Sequence, residues 1–264
     1  MKSVPIRIVL VACVAALALV ASGCGTTTPT SPNLTHDSAD DIAMQTATTL
    51  GIVNLDVLGG AGGAGALLVS RPGASRSAAE WDTSFAVGGL SFEASRQFYN
   101  ADGGLMPGYG PDAVRMVWTS RVYGTAELPR DTLTIGHSAS TEFGGIQPLA
   151  DTLRINGAAL DTLMNRFRSY DGTRTRYFYW NSALDVADVL LLKSTLDASP
   201  WPLSGTMTLV VEADRLRSND RADVEAHLSA TVVVTFNGTS QPDIVVDGTW
   251  HYRWNMVTGA VTRV

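Results

Sequence analysis

Cysteine is almost missing from this chain of 264 residues: Cys13 and Cys24 are the only two, and both lie near the amino end. Everything after Cys24 therefore folds without a disulfide and has no thiolate to offer a metal or a substrate. Net positive charge is missing too. The formal charge is −6, and the first 23 residues hold Lys2 and Arg7 but no acid, which leaves 17 basic against 25 acidic residues, or −8. Such a surface repels nucleic acid, and no basic stripe offsets it, so nucleic acid is not an expected partner. There is a single long apolar run, Ile8 to Val20, too short to span a bilayer comfortably as a permanent helix. No G-x-S-x-G occurs and no serine stands in a recognisable triad context. Catalysis is therefore not the expected role, and no cofactor is expected.

What is present in abundance is alternation. From Ala222 to Phe236 every second residue is apolar: Ala222, Val224, Ala226, Leu228, Ala230, Val232, Val234 and Phe236. Period two over that length predicts a strand much longer than the usual five or six residues, with one face in a core and the other in water.

The amino end has a different build. A short basic start, the apolar run, and the small residues Ala21, Ser22 and Gly23 precede Cys24. That is the three-part plan of an export signal. Ala21-Ser22-Gly23-Cys24 resembles the lipobox of bacterial lipoproteins, with alanine where leucine is commonest. The resemblance covers residues 1–24 and implies cleavage before Cys24, which is diacylated and becomes the new amino terminus. It implies a lipid-anchored protein of the cell envelope, and Gly25 (rather than aspartate) fits outer-membrane sorting if the source is Gram-negative. The expected division is a signal peptide over 1–23, the lipidated cysteine with a Thr/Pro/Ser-rich tether over 24–36, and one β-rich domain over 37–264.

After the tether, Asp37 to Leu50 is the one clear helix, with Asp37 or Ser38 as cap and Gly51 beyond its end. Its apolar stripe (Ala39, Ile42, Ala43, Thr46, Leu50) is narrow, which predicts a helix at the edge or mouth of a sheet. Gly60, Gly62 and Gly65 satisfy the dinucleotide fingerprint G-x-G-x-x-G, but Pro72-Gly73 leaves no room for the helix that such a site needs. A loop is expected there.

From Trp81 onward strand follows strand. Gly88-Gly89 interrupts the alternation as a bulge would, and Asn156-Gly157, Asp171-Gly172 and Asn237-Gly238 read as turns. Ala183 to Leu192 fits either periodicity and is assigned to strand by its neighbours. Ile244 to Met256 reads as one strand. Short turns and the lack of recurrent helices predict an all-β, antiparallel meander, strongly curved into an open sheet or incomplete barrel with one amino-terminal helix. A closed barrel or a sandwich is the alternative.

Three constellations stand out. A four-residue turn at Ser218 to Arg221 would set Glu212 across from His227, and a three-residue turn at Gly238 to Ser240 would set His227 across from His251. Glu212, His227 and His251 would then form one polar row with the ligand types of a zinc or non-haem iron site. Trp250, Tyr252 and Trp254 share the apolar face of one strand and are candidates for the floor of a hydrophobic pocket. Arg174, Arg176, Tyr177, Phe178, Tyr179 and Trp180 form an Arg/aromatic cluster suited to stacking on sugar or on a protein, or to ordinary core packing with snorkelling arginines. The leading expectation is non-catalytic binding of an apolar ligand or lipid in the curved sheet. A structural or protein-interaction module of the envelope is second. A metal-binding protein or hydrolase built on Glu212, His227 and His251 is third.

Overall fold

The computed structural model describes residues 34–50, 81–87, 89–128, 131–168, 175–195, 201–218 and 223–264. The export signal, Cys24, most of the tether, the glycine-rich stretch and the turn at Asp171-Gly172 lie outside the described residues.

Among the described residues one α-helix and one sheet make up the fold. Helix α1 covers residues 36–50. Twelve strands follow: β1 (Trp81–Val87), β2 (Leu90–Tyr99), β3 (Leu105–Met106), β4 (Arg115–Leu128), β5 (Asp131–Gly144) and β6 (Thr152–Arg168) form the first half. The second half is β7 (Thr175–Leu192), β8 (Ser204–Ser218), β9 (Asp223–Thr235), β10 (Asp243–Val246), β11 (Trp250–Trp254) and β12 (Val261–Arg263). Each pairs antiparallel with the next, except that β2 passes directly to β4 and the two-residue β3 pairs with β2 alone. Among the described residues β1 and β12 do not meet, so the sheet stays open. The fold is the all-β meander with a curved, unclosed sheet.

One face of the sheet is buried from β4 to β11, and the alternation explains why. Leu228, Ala230, Val232 and Val234 on β9 are at most 5% exposed, while His227 and Thr235 beside them face water. Met207, Leu209 and Val211 continue the buried face on β8, and Phe143, Ile155 and Trp180 reach zero exposure on β5, β6 and β7. A single sheet can bury one face over so many strands only by curling around something.

Part of what fills the curl is α1. Ala39, Ile42, Ala43 and Leu50 are 0% exposed, and Ser38, Asp41, Thr46 and Thr49 are buried as well. Burying Ile42 and Leu50 contributes about 1.5–3 kcal/mol each. The helix is thus seated in the hollow, not at its mouth as the narrow apolar stripe suggested; small and polar side chains widen the buried arc. Its first turn is capped by Thr35, whose Oγ1 accepts from the Ser38 N–H at 3.3 Å, in place of the expected Asp37 or Ser38.

Two local readings are corrected by the backbone. Asn156-Gly157 is not a turn but the middle of β6, where it faces a bulge in β7. There Asp188 takes a φ of 50° and donates its N–H to Asn156 Oδ1 at 2.8 Å. The extra residue flips the phase: Leu184 and Val186 are buried before it, Val189 and Leu191 after it. Ala183 to Leu192 is strand, as expected, and this change of phase is why it also fits a helical period. The second correction is a hairpin hidden inside Ile244 to Met256. Asp247 (φ 48°) and Gly248 (φ 65°) both adopt left-handed backbone, as a type I′ turn demands, and the Thr249 N–H closes onto Val246 O at 3.1 Å.

Candidate functional site

That hairpin decides where the expected metal row goes. β8 pairs with β9 in a register that sets Glu212 across from Ser229 and Asp214 across from His227. His251 lies on β11 across from Val245, and Val245 lies across from Val233 on β9, six residues along from His227. The register therefore separates His251 from the other two. Ser218 pairs with Asp223 where Arg217 was expected across from Ala222, which moves every pair by two.

His227 instead sits between two carboxylates. Its Nδ1 is 2.7 Å from Asp214 Oδ1 and its Nε2 is 3.1 Å from Glu212 Oε2. The hydrogen bond with Asp214, reinforced by the charges of both carboxylates, raises its pKa above the usual imidazole value. Each ring nitrogen thus faces a carboxylate oxygen, and the protonated ring can donate to both. Among the described residues no group of three His, Cys, Asp or Glu side chains is placed to hold a metal ion.

A second polar constellation lies inside the fold and is one that sequence reasoning did not assemble. His137, Asp161 and Ser182 are consecutive partners across β5, β6 and β7. His137 Nδ1 meets Asp161 Oδ1 at 2.6 Å, Ser182 Oγ donates to Asp161 Oδ2 at 3.5 Å, and Trp180 Nε1 donates to Ser182 Oγ at 3.0 Å. These are triad residue types in the wrong order: the hydroxyl bonds the carboxylate, not the imidazole. None is more than 7% exposed. The cluster cross-links three strands from within, and its only signal in the sequence is polar residues at inward parity.

The aromatic strand proves more informative. Tyr252 and Trp254 are each 3% exposed and pack with α1 in one core. Trp250, at the edge, is only half-buried, with the His36 ring 4.1 Å away in an edge-to-face contact. The Tyr252 hydroxyl reaches out of the core and donates to Asp40 Oδ1 at 2.8 Å; Arg263 Nη2 donates to the same oxygen at 2.7 Å. Beside this triad lies a cavity of about 260 Å³ lined by Asp40, Met44, Tyr252, Val261 and Arg263. α1, β11 and β12 therefore meet in a seam with an acid, a guanidinium, a phenol and two apolar side chains.

No family model, curated protein or solved structure matches this chain. Its chemistry is read from its own geometry.

The charges in the seam are tuned against each other. Partial burial pushes the Asp40 carboxyl up, but the hydrogen bonds from Arg263 and Tyr252 outweigh it and hold the group below its ordinary range. Burial, with Asp40 accepting its proton, pushes the Tyr252 phenol up to about 12. Asp40 is thus an anion, Tyr252 a neutral donor and Arg263 a cation throughout the neutral range. The arrangement can bind and orient; nothing in it is poised to transfer a proton near neutrality.

A larger concavity, about 410 Å³, lies across β1, β2 and β4, lined by Ser84, Glu93, Ser95, Thr119 and Arg121 among others. It is a trough of short hydroxyl side chains on the convex face, where Ser95 Oγ and Thr119 Oγ1 bond to each other at 2.5 Å. It has no aromatic wall. The Arg/aromatic cluster divides by parity: Phe178 and Trp180 are buried, Tyr177 and Tyr179 exposed, and Arg166 lies 5.6 Å from the Tyr177 ring. Arg174 lies outside the described residues.

Of the residues singled out in the sequence, the structure brings Tyr252 and Trp250 to the seam and buries Trp254. It joins Glu212 to His227 and sets His251 apart. Asp40, Met44, Val261 and Arg263 were missed as site residues. Asp40 was visible only as a favourable charge in the first helical turn.

Proposed function

We propose that this chain is a non-catalytic binding protein of the cell envelope, anchored by acyl chains on Cys24, with the curled sheet as a rigid frame. Its binding surface is the seam between α1 and strands β11 and β12. The anchor reading is supported by Ala21-Ser22-Gly23-Cys24 and the run before it. Among the described residues no helix is long and apolar enough to cross a membrane.

The seam reading is carried by one observation. Met44 is 47% exposed on a helix that is otherwise mostly buried, and it lines the cavity that Tyr252 opens into. The expected pocket floor of Trp250, Tyr252 and Trp254 is thereby shifted: Trp254 is buried in the core that α1 shares, and a ligand meets the rim of the aromatic strand. A benzoyl-phenylalanine placed at position 44 of the full chain in native membranes should form an adduct with a small amphiphile on irradiation. The same group at Val257, also exposed, should form none. Equal labelling at the two positions sinks the seam as a binding surface. The anchor has its own check: Cys24→Ala should leave the membrane fraction and still fold, and retention in that fraction rejects acylation.

A second reading is a protein-interaction module using the convex face. Leu160, Met164, Tyr177, Tyr179, Val210 and Leu216 are each at least 36% exposed there, on three neighbouring strands.

A further inference from the structure

We infer that the seam is a site for a phosphate–ammonium zwitterion, the headgroup chemistry of phosphatidylethanolamine and phosphatidylcholine. The inference rests on the reading of the seam as the binding surface and goes on to name what it takes.

Charge selects the class of ligand. A lone anion attracted to Arg263 meets Asp40 within hydrogen-bond distance of it, and a lone cation attracted to Asp40 meets Arg263. A molecule carrying both signs satisfies both. The resident pair is easy to open, because each side chain is 42% exposed and an ion pair in that setting is worth little. A guanidinium has five N–H donors, more than Asp40 accepts, and its planar fork matches phosphate oxygens. The released carboxylate faces an ammonium group, and the Trp250 ring, 5.9 Å from Arg263 and edge-on to His36, adds an aromatic face beside the pair.

Shape and position select the source. Beyond the charged pair the cavity wall is Met44 and Val261, apolar groups open to water. An amino acid or other small zwitterion leaves that wall wet, whereas the glycerol and first methylenes of a lipid cover it. Only eleven residues lie between Cys24 and His36, a span of at most about 43 Å when extended. A chain anchored at Cys24 can therefore rest the seam on the bilayer surface. The overall acidity of the domain does not oppose this, because zwitterionic headgroups carry no net charge.

The test is titration calorimetry on the full chain held in octyl glucoside, whose headgroup is uncharged. Phosphocholine and phosphoethanolamine should saturate a single site. Inorganic phosphate, choline and glycine betaine should each bind at least about tenfold more weakly, and Arg263→Gln and Asp40→Asn should each weaken phosphocholine by a similar factor. Thermal midpoints close to that of the wild type show that these variants fold. Dihexanoyl phosphatidylcholine below its micelle concentration should bind tighter than phosphocholine, and Met44→Gln should remove the gain. Equal affinity for inorganic phosphate or glycine betaine, or indifference to Arg263→Gln, overturns the assignment. Equal affinity for phosphocholine and the short lipid overturns a bilayer as the source. If phosphocholine does not bind while the adduct at position 44 still forms, the headgroup is rejected and the seam stands. If neither is seen, both fall.

Discussion

The seat of α1 can be tested through a charged pair that crosses from helix to sheet inside the core. Arg215 Nη1 and Asp41 Oδ2 are 2.5 Å apart, and the two side chains are only 9% and 8% exposed. Arg215 projects from β8 onto the buried face, next to Ala213 in the inward series. If the carboxylate is removed, the guanidinium keeps its burial and loses its countercharge. For such a one-sided deletion the cost is about 3–5 kcal/mol, far above the ~0–1 kcal/mol of an exposed pair. Asp41→Asn should therefore lower the thermal midpoint by about 6–20 °C, at roughly 2–4 °C per kcal/mol for a domain of this size. The double variant Asp41→Leu with Arg215→Met replaces both charges with hydrocarbon and should recover most of the loss. Urea unfolding followed by tryptophan fluorescence, with all four corners of the cycle, gives the coupling. Amide exchange across 38–50 should quicken in Asp41→Asn more than in β9. A single-variant loss below about 1 kcal/mol would refute the buried seat of the helix.

Other outcomes follow from the same geometry. A Cβ added at Gly205, where φ is 110°, would lie 2.4 Å from Val189 Cα at the β7 bulge, so Gly205→Ala should cost at least about 2 kcal/mol in urea unfolding. His227 should titrate above the ordinary imidazole value by proton NMR, and Asp214→Asn should lower it more than Glu212→Gln does, because the Asp214 hydrogen bond is the leading cause. Since that pKa is raised, its contribution to stability is complete below the unfolded value and fades as pH rises through the folded one. Zinc at micromolar concentration should leave the thermal midpoint unmoved, because among the described residues no three His, Cys, Asp or Glu side chains are placed to hold it; a rise of several degrees would contradict that geometry.

How far the sequence could be read depended on what a period of two contains. Parity says which face a residue occupies, and for Leu228, Val232 and Val234 that was enough to place them in the core. It says nothing about which of two same-parity partners stands opposite. The turn between β8 and β9 moved by one residue at each end, parity was kept, and Glu212 exchanged His227 for Ser229. Parity also cannot tell a continuous strand from a hairpin whose paired residues sum to an even number. Val246 pairs with Trp250 and Ile244 with Tyr252, so the even-numbered side chains face inward on both arms. The alternation ran unbroken through the turn. Asp247-Gly248 was the available signal, a dipeptide suited to two consecutive left-handed residues. Asn156-Gly157 misled in the opposite sense: the bulge on β7, not a turn, uses it.

The seam lay beyond reasoning of this kind. Asp40 and Arg263 are separated by 223 positions, one in the first turns of the helix and one in the last strand. Neither belongs to an alternating pattern that bears on the other. What brings them together is where α1 settles in the curl, and that is set by volume. Ala39, Ala43 and Ala47 let the helix backbone approach the sheet closely, while Ile42 and Leu50 fill what remains. Larger residues at the alanine positions would hold the helix further out and carry Asp40 away from Tyr252 and Arg263. The small residues that made the apolar stripe look too weak for a core helix are thus what let it sit deep enough to build the site.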